Sequence, residues 1–204
     1  MPAPRIEIEL DKLAHNARRL TALYGSKGIC VTAVTKGVCG SPRVASALLD
    51  SGIRSFGDSR IANIQKMREA GLDAQFILIC SPMPSEVERV VEFVDVSLNT
   101  EISVIRLLAG QASKCGKIQR IILMIELGDL REGVLPSDVE SVAKETISLR
   151  GVKLAGIGTN LACFGGIRPT EANMRELSTI AGNLQRKYGI NFEIVSGGNS
   201  ANYQ

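Results

Sequence analysis

The sequence predicts an α/β fold of parallel strands, arranged as a (β/α)8 TIM barrel. Three observations lead there. Short apolar, β-branched segments alternate with helical periodicities about seven times along the chain. Those segments are nearly continuous in apolar character, as strands covered on both faces must be. The chemically distinctive residues fall where the segments finish, and in such a barrel that face carries the active site.

"RIEIEL" (residues 5–10) alternates apolar and charged residues, the pattern of a half-exposed strand. Asp11 is placed to cap a helix over 12–24, which Gly25 ends. "ICVTAVT" (29–35) is the first apolar strand, followed by a helix over 43–50. "RSFGDS" (54–59) precedes a helix over 60–70 closed by Gly71, and "AQFILIC" (74–80) one over 85–93. "VDVSLN" (94–99) leads to a helix over 101–114, and "IQRIILMIEL" (118–127) to one over 137–149. "VKLAGIGT" (152–159), a helix over 171–188 and "FEIVSGG" (192–198) complete the series.

A barrel is favoured over an open sheet by the spread of unusual residues. Lys36 closes the first apolar strand; Asp58 and Ser59 close the second; Arg131 follows the fifth. Asn160 closes the sixth and "SGGNS" the seventh. A barrel brings all these strand ends to one mouth, whereas an open sheet gathers ligands at one switch point. An eighth unit is missing before Gln204, so residues 1–204 are expected to be an incomplete, C-terminally truncated barrel domain. Its open seam would be an aggregation-prone edge.

Bulk composition narrows the function classes. The 204 residues are 45% hydrophobic and 22% charged, as in ordinary globular proteins. No apolar run is long enough to span a bilayer, and the charged N-terminus lacks the core of a secretory signal. A soluble cytoplasmic protein with no membrane partner is expected. The net charge of +3 is dispersed, aromatics are only 4% and Trp is absent, so no base-stacking platform for nucleic acid is expected. Five cysteines without a CxxC spacing, and one histidine, argue against zinc and for a reducing compartment. Most cysteines are expected in the core. Cys39 and Cys163, in loops just after strands, stand equally as site-lining residues.

Lys36 ends a β-branched run in "AVTKG". Partial burial in a barrel mouth would lower its pKa and free the amine as a nucleophile that forms Schiff bases. Taken alone, such a lysine is more often a surface residue that snorkels to water. In "VSGGNSAN", Gly197 and Gly198 allow backbone N–H groups to face an anion and Ser200 adds a hydroxyl, a phosphate cradle or simply a glycine turn. Arg131, between Asp129 and Glu132, is placed to hydrogen-bond a phenolate or carboxylate, or to sit in a solvated charge cluster. Asn160 either contacts a planar ring or caps a loop.

Together these segments resemble the N-terminal barrel of the fold-type III pyridoxal 5'-phosphate enzymes, the alanine-racemase-like group. "AVTKG" resembles the cofactor-lysine strand, "LGDLREG" the arginine-bearing loop and "SGGNS" the phosphate turn. "LGDLREG" with "GGNS" is most similar to the branch that includes ornithine racemase. The resemblance implies racemisation of a free amino acid, ornithine or alanine, with Lys36 holding the cofactor as a Schiff base and moving the Cα proton. It implies that Arg131 contacts the cofactor's ring oxygen and that Ser196, Gly197, Gly198, Asn199 and Ser200 form the phosphate site. Asn160 takes the position of a ring-stacking histidine in alanine racemases, so the ring contact there differs. The resemblance also implies a C-terminal β-domain beyond Gln204, an opposite-face base supplied from there, and a homodimer. A different class has the same barrel: single-domain, non-catalytic proteins of pyridoxal phosphate homeostasis, whose "FGEN" segment is similar to "FGDS". A third possibility is a barrel for another phosphorylated metabolite, with Lys36 pairing the phosphate.

Overall fold

In the computed structural model, residues 4–162 and 166–197 are described, and the chain divides into two compact units, Met1–Leu78 and Ile79–Gln204. The first contains α1 (Leu10–Gly25), β1 (Thr32–Val34), a 3-10 turn (Lys36–Val38), α2 (Pro42–Asp50), β2 (Ser55–Asp58), α3 (Ile61–Glu69) and β3 (Gln75–Leu78). Its strands pair in parallel, with Thr32 opposite Ser55 and Ser55 opposite Gln75. α2 opens on Pro42, where a missing N–H costs nothing, and buries Val44, Ala45 and Leu48. Phe56 of β2 and Phe76 of β3, both fully buried, stack with centroids 6.0 Å apart. The Arg68 guanidinium lies 4.8 Å from the Phe76 ring centre.

Asp58 closes β2 and is wholly buried. Its carboxylate accepts from the Thr35 hydroxyl (2.8 Å), the Arg60 N–H (3.0 Å) and the Asn63 amide of α3 (2.9 Å). A buried carboxylate is tolerated only when so many donors replace its water. The network ties the end of β1 and the start of α3 to the end of β2.

The second unit holds a 3-10 turn (Pro84–Glu86), α4 (Val87–Phe93), β4 (Val96–Asn99), α5 (Ile102–Lys114), β5 (Gln119–Met124), α6 (Val139–Ser148), β6 (Val152–Gly158), α7 (Glu171–Tyr188) and β7 (Ile194–Ser196). β4 pairs with β5, β5 with β6 and β6 with β7, all in parallel. Ile121, Leu123 and Met124 form the buried centre with Ile105 and Leu108 of α5. Between β5 and β6 the register shifts: Ile121 faces Leu154 but Ile122 faces Gly156, so Ala155 is an inserted bulge residue. At Gly156 a Cβ would stand 1.8 Å from the Ile194 carbonyl, so only glycine admits β7 this closely. Glu193, just before β7, pairs with Arg120 at 2.9 Å and with Lys153 at 2.6 Å, fastening β7 to the two preceding strands.

Seven strands and seven α-helices, among the described residues, follow the predicted order. Three expectations need correction. Residues 5–9 form no strand but an exposed segment with Ile6 84% exposed, because alternation alone does not supply the neighbouring backbone a strand must pair with. α1 starts at Leu10 with Glu9 as its N-cap, and Asp11 falls inside the first turn. Cys30, Cys39 and Cys115 are exposed and Cys80 is half-buried, because all four lie at or beyond element ends rather than on packed faces. Cys163 lies outside the described residues. No described helix is long and apolar enough to cross a membrane.

Two outcomes are expected. Asp58→Ala leaves the Thr35 hydroxyl and the Asn63 amide without their acceptor, and should lower unfolding free energy by about 2–4 kcal/mol in urea titrations. The pKa of Glu193 is lowered, chiefly by the Lys153 hydrogen bond and also by Arg120, against an opposing effect of burial. Its ionised form therefore stabilises the fold at neutral pH, and that contribution fades as pH falls through the depressed value. Glu193→Gln should accordingly lower the melting temperature at pH 7, with the difference from the parent closing below about pH 4.

Candidate functional site

β1 ends at Val34, and Thr35 carries the chain into the turn Lys36–Val38. Thr35 donates its N–H to the Gly57 carbonyl at 2.9 Å and its hydroxyl to Asp58. Its own carbonyl accepts from Val38 (3.0 Å) and Gly40 (3.1 Å). Cys39 is left-handed at φ 51°, and its carbonyl accepts from the Lys66 ammonium at 2.8 Å. The backbone on both sides of Lys36 is thus held, while its side chain is exposed. The partial burial expected for Lys36 is not found, because the residue stands past the strand end on the turn. Among the described residues its ammonium has no ion pair or hydrogen bond, so the amine is uncommitted.

In the second unit the chain leaves β5 through Ile125 and makes an excursion over residues 126–134. Val134 returns beside the strand: its N–H donates to Met124 (2.8 Å) and its carbonyl accepts from Glu126 (3.0 Å). The Glu126 carboxylate takes the Gly128 N–H at 2.5 Å. Gly133, at φ 129°, presses against this neck, where a Cβ would lie 2.4 Å from the Glu126 nitrogen. Leu130 is held left-handed at φ 56° with its side chain 78% exposed. Arg131 follows, one third exposed, and its Nη2 pairs with Glu132 at 2.6 Å.

Asn160 lies just past β6 and donates from Nδ2 to the same Glu132 oxygen at 2.6 Å. The second unit therefore brings Arg131 and Asn160 together on one carboxylate, with Glu132 only 15% exposed. Thr159, between Asn160 and the strand, is buried, and its hydroxyl has no partner among the described residues. Its N–H donates to the Ser196 carbonyl at 3.0 Å, which sets Ser196 beside the end of β6. Gly197 continues from Ser196; Gly198, Asn199 and Ser200 lie outside the described residues. Sequence reading missed Glu132 as a partner of Asn160, and the only signal available was its place beside Arg131.

In the first unit, Lys36 offers an uncommitted amine that suits an aldehyde such as that of pyridoxal phosphate. In the second unit, taken by itself, the Arg131 guanidinium and the buried Thr159 hydroxyl, which has no partner among the described residues, suit a polar, anionic group.

The chain is 38% identical over 200 residues to the lysine racemase of Thermotoga maritima, matching 98% of this chain and 56% of that protein. It is 37% identical to the ornithine racemase of Acetoanaerobium sticklandii, matching 97% of this chain and 56% of that protein. It spans about half the length of these curated relatives. Among solved structures, the alanine racemase of Streptomyces lavendulae superposes with a TM-score of 0.78 at 20% identity, over 95% of this chain and 53% of that one. PipY of Synechococcus elongatus, with pyridoxal phosphate bound, gives a TM-score of 0.75 at 19% identity, over 92% of this chain and 90% of that one. The fold is that of these proteins. The family described as "Alanine racemase, N-terminal domain" matches residues 8–204, and the chain belongs to it.

Proposed function

We propose that the chain is the barrel domain of a pyridoxal phosphate-dependent racemase acting on a free amino acid with a basic side chain, lysine or ornithine. The observation that carries this is the uncommitted Lys36 amine, in a chain 38% identical across 98% of its length to a lysine racemase. When bound, pyridoxal phosphate acts as the electron sink that makes the substrate's Cα proton removable. Lys36 would hold the cofactor at its aldehyde carbon, and its amine would hold or deliver a proton on one face of the substrate's Cα. Arg131 would donate to the ring oxygen, and Asn160 would orient the ring from its side-chain amide. Ser196, the N–H groups of Gly197 and Gly198, Asn199 and the Ser200 hydroxyl hold the phosphate.

Racemisation needs a second acid–base group on the opposite face, and this reading assigns it to a part of the protein outside residues 1–204. It likewise takes the intact protein as a cytoplasmic homodimer with a further C-terminal domain, and assigns it no nucleic-acid or membrane partner. A second reading is a pyridoxal phosphate-binding protein without turnover; the match to PipY, solved with pyridoxal phosphate bound, over 90% of its own length supports it.

Borohydride reduction of the protein mixed with pyridoxal phosphate, followed by peptide mass spectrometry, should find the added mass on Lys36. Lys36→Ala should abolish that adduct, and its survival elsewhere would refute the assignment. Ser200→Ala should keep the adduct while weakening cofactor affinity about tenfold or more, as loss of a hydrogen bond to a charged group does. Exchange of the Cα proton of lysine or ornithine with deuterated water separates racemase from carrier.

A further inference from the structure

Glu132 does something the arginine-bearing loop does not need for its own closure. The loop is already closed by the backbone pair between Glu126 and Val134 and by Gly133 packed against the neck. Glu132 sits one residue before that pinned glycine, so its Cα has little freedom. Its Oε1 accepts two bonds from different elements, Arg131 Nη2 in the loop and Asn160 Nδ2 at the end of β6, both at 2.6 Å. Oε2 takes no bond among the described residues. At 15% exposure the carboxylate is largely withdrawn from water, so the part-buried Asn160 bond competes with less solvent than the exposed Arg131 bond does.

Two consequences follow. Arg131 and Asn160 cannot reorient independently, since each shares the oxygen that the other uses. The guanidinium also carries its counter-charge with it, so it offers directed N–H donors with much of its net charge offset. We propose that Glu132 is a positioning residue that couples Arg131 to Asn160, so that both meet the cofactor ring as one preset unit. The coupling is a property of this chain alone; its consequence for the cofactor rests on the reading given under Proposed function.

The test combines Glu132→Gln, Glu132→Ala, Asn160→Ala and the double variant Glu132→Ala/Asn160→Ala. In the cofactor-free protein, NMR hydrogen exchange of the Asn160 side-chain amide should quicken about tenfold or more in Glu132→Ala and stay near the parent in Glu132→Gln, which keeps an acceptor oxygen. In pyridoxal phosphate titrations, Glu132→Ala should weaken binding about tenfold and shift the absorbance maximum of the bound cofactor. Asn160→Ala should cost affinity in the parent and less than about twofold further in the Glu132→Ala background, since the pair no longer acts together. Glu132→Gln keeps the positions without the charge, so it should shift the maximum with a smaller loss of affinity. Additive effects of the two substitutions would overturn the proposal, as would unchanged Asn160 exchange in Glu132→Ala. A drop in melting temperature with cofactor affinity and absorbance unmoved would show a structural staple and overturn it too. Absence of any reducible adduct in the parent would instead remove the cofactor reading, leaving the coupling to be judged by amide exchange.

Discussion

The buried carboxylate of Asp58 governs how the first unit presents its chemistry. Desolvating a charge is expensive unless donors replace the lost water, and here three donors from β1's exit, the α3 entry and α3 itself converge on it. Removing any one leaves the carboxylate short, so the arrangement is discrete rather than graded. Thr35 is one of those donors and is the residue immediately before Lys36. The root of the lysine is therefore held by a buried network while its ammonium remains exposed. A fixed root with a four-carbon tether limits the entropy lost when the amine engages a ligand, without burying the charge beforehand.

The second unit reaches a comparable rigidity by a different device. Its loop over residues 126–134 relies on backbone: a returning segment paired to the end of β5, a glycine where no Cβ fits, and a leucine held left-handed with its side chain in water. Leu130 is an uncommon conformation for a γ-branched residue, and such strain persists only where the surroundings over-determine it. The loop places Arg131 and Glu132 as neighbours of fixed geometry, and Glu132 extends that order to Asn160 at the next strand end. An exposed ion pair would contribute little. This one has a half-buried carboxylate that shares its oxygen with an amide, so its value lies in orientation.

What the sequence discloses depends on the range of the interaction. α7 spans the predicted residues 171–188 because both its stops are local: Thr170 and Asn173 exchange hydrogen bonds at the start, and Gly189 turns left-handed at the end. Strand positions were legible from apolar runs, but their ends were not. "ICVTAVT" contributes only Thr32–Val34, since pairing depends on how far β2 runs alongside. "RIEIEL" shows the limit from the other side, a correct period with no strand to join. The same holds at the site. Lys36, Arg131 and Asn160 stood out because strand ends are local features. The Thr35–Asp58 bond and the Asn160–Glu132 bond join residues 23 and 28 apart, and no periodicity reports them.

The exposure of Lys36 bears on the two readings that share this fold, which the superpositions alone do not separate. A carrier that binds and releases its cofactor needs an accessible amine, and the described residues supply one. A racemase needs the same amine to hand one proton to one face of a carbon without losing it to bulk water, which requires a covered site. Within the first unit, the Asp58 network holds the root of Lys36 and leaves its amine exposed. The racemase reading therefore carries a physical demand that the carrier reading does not: a lid over the amine, bearing the second acid–base group.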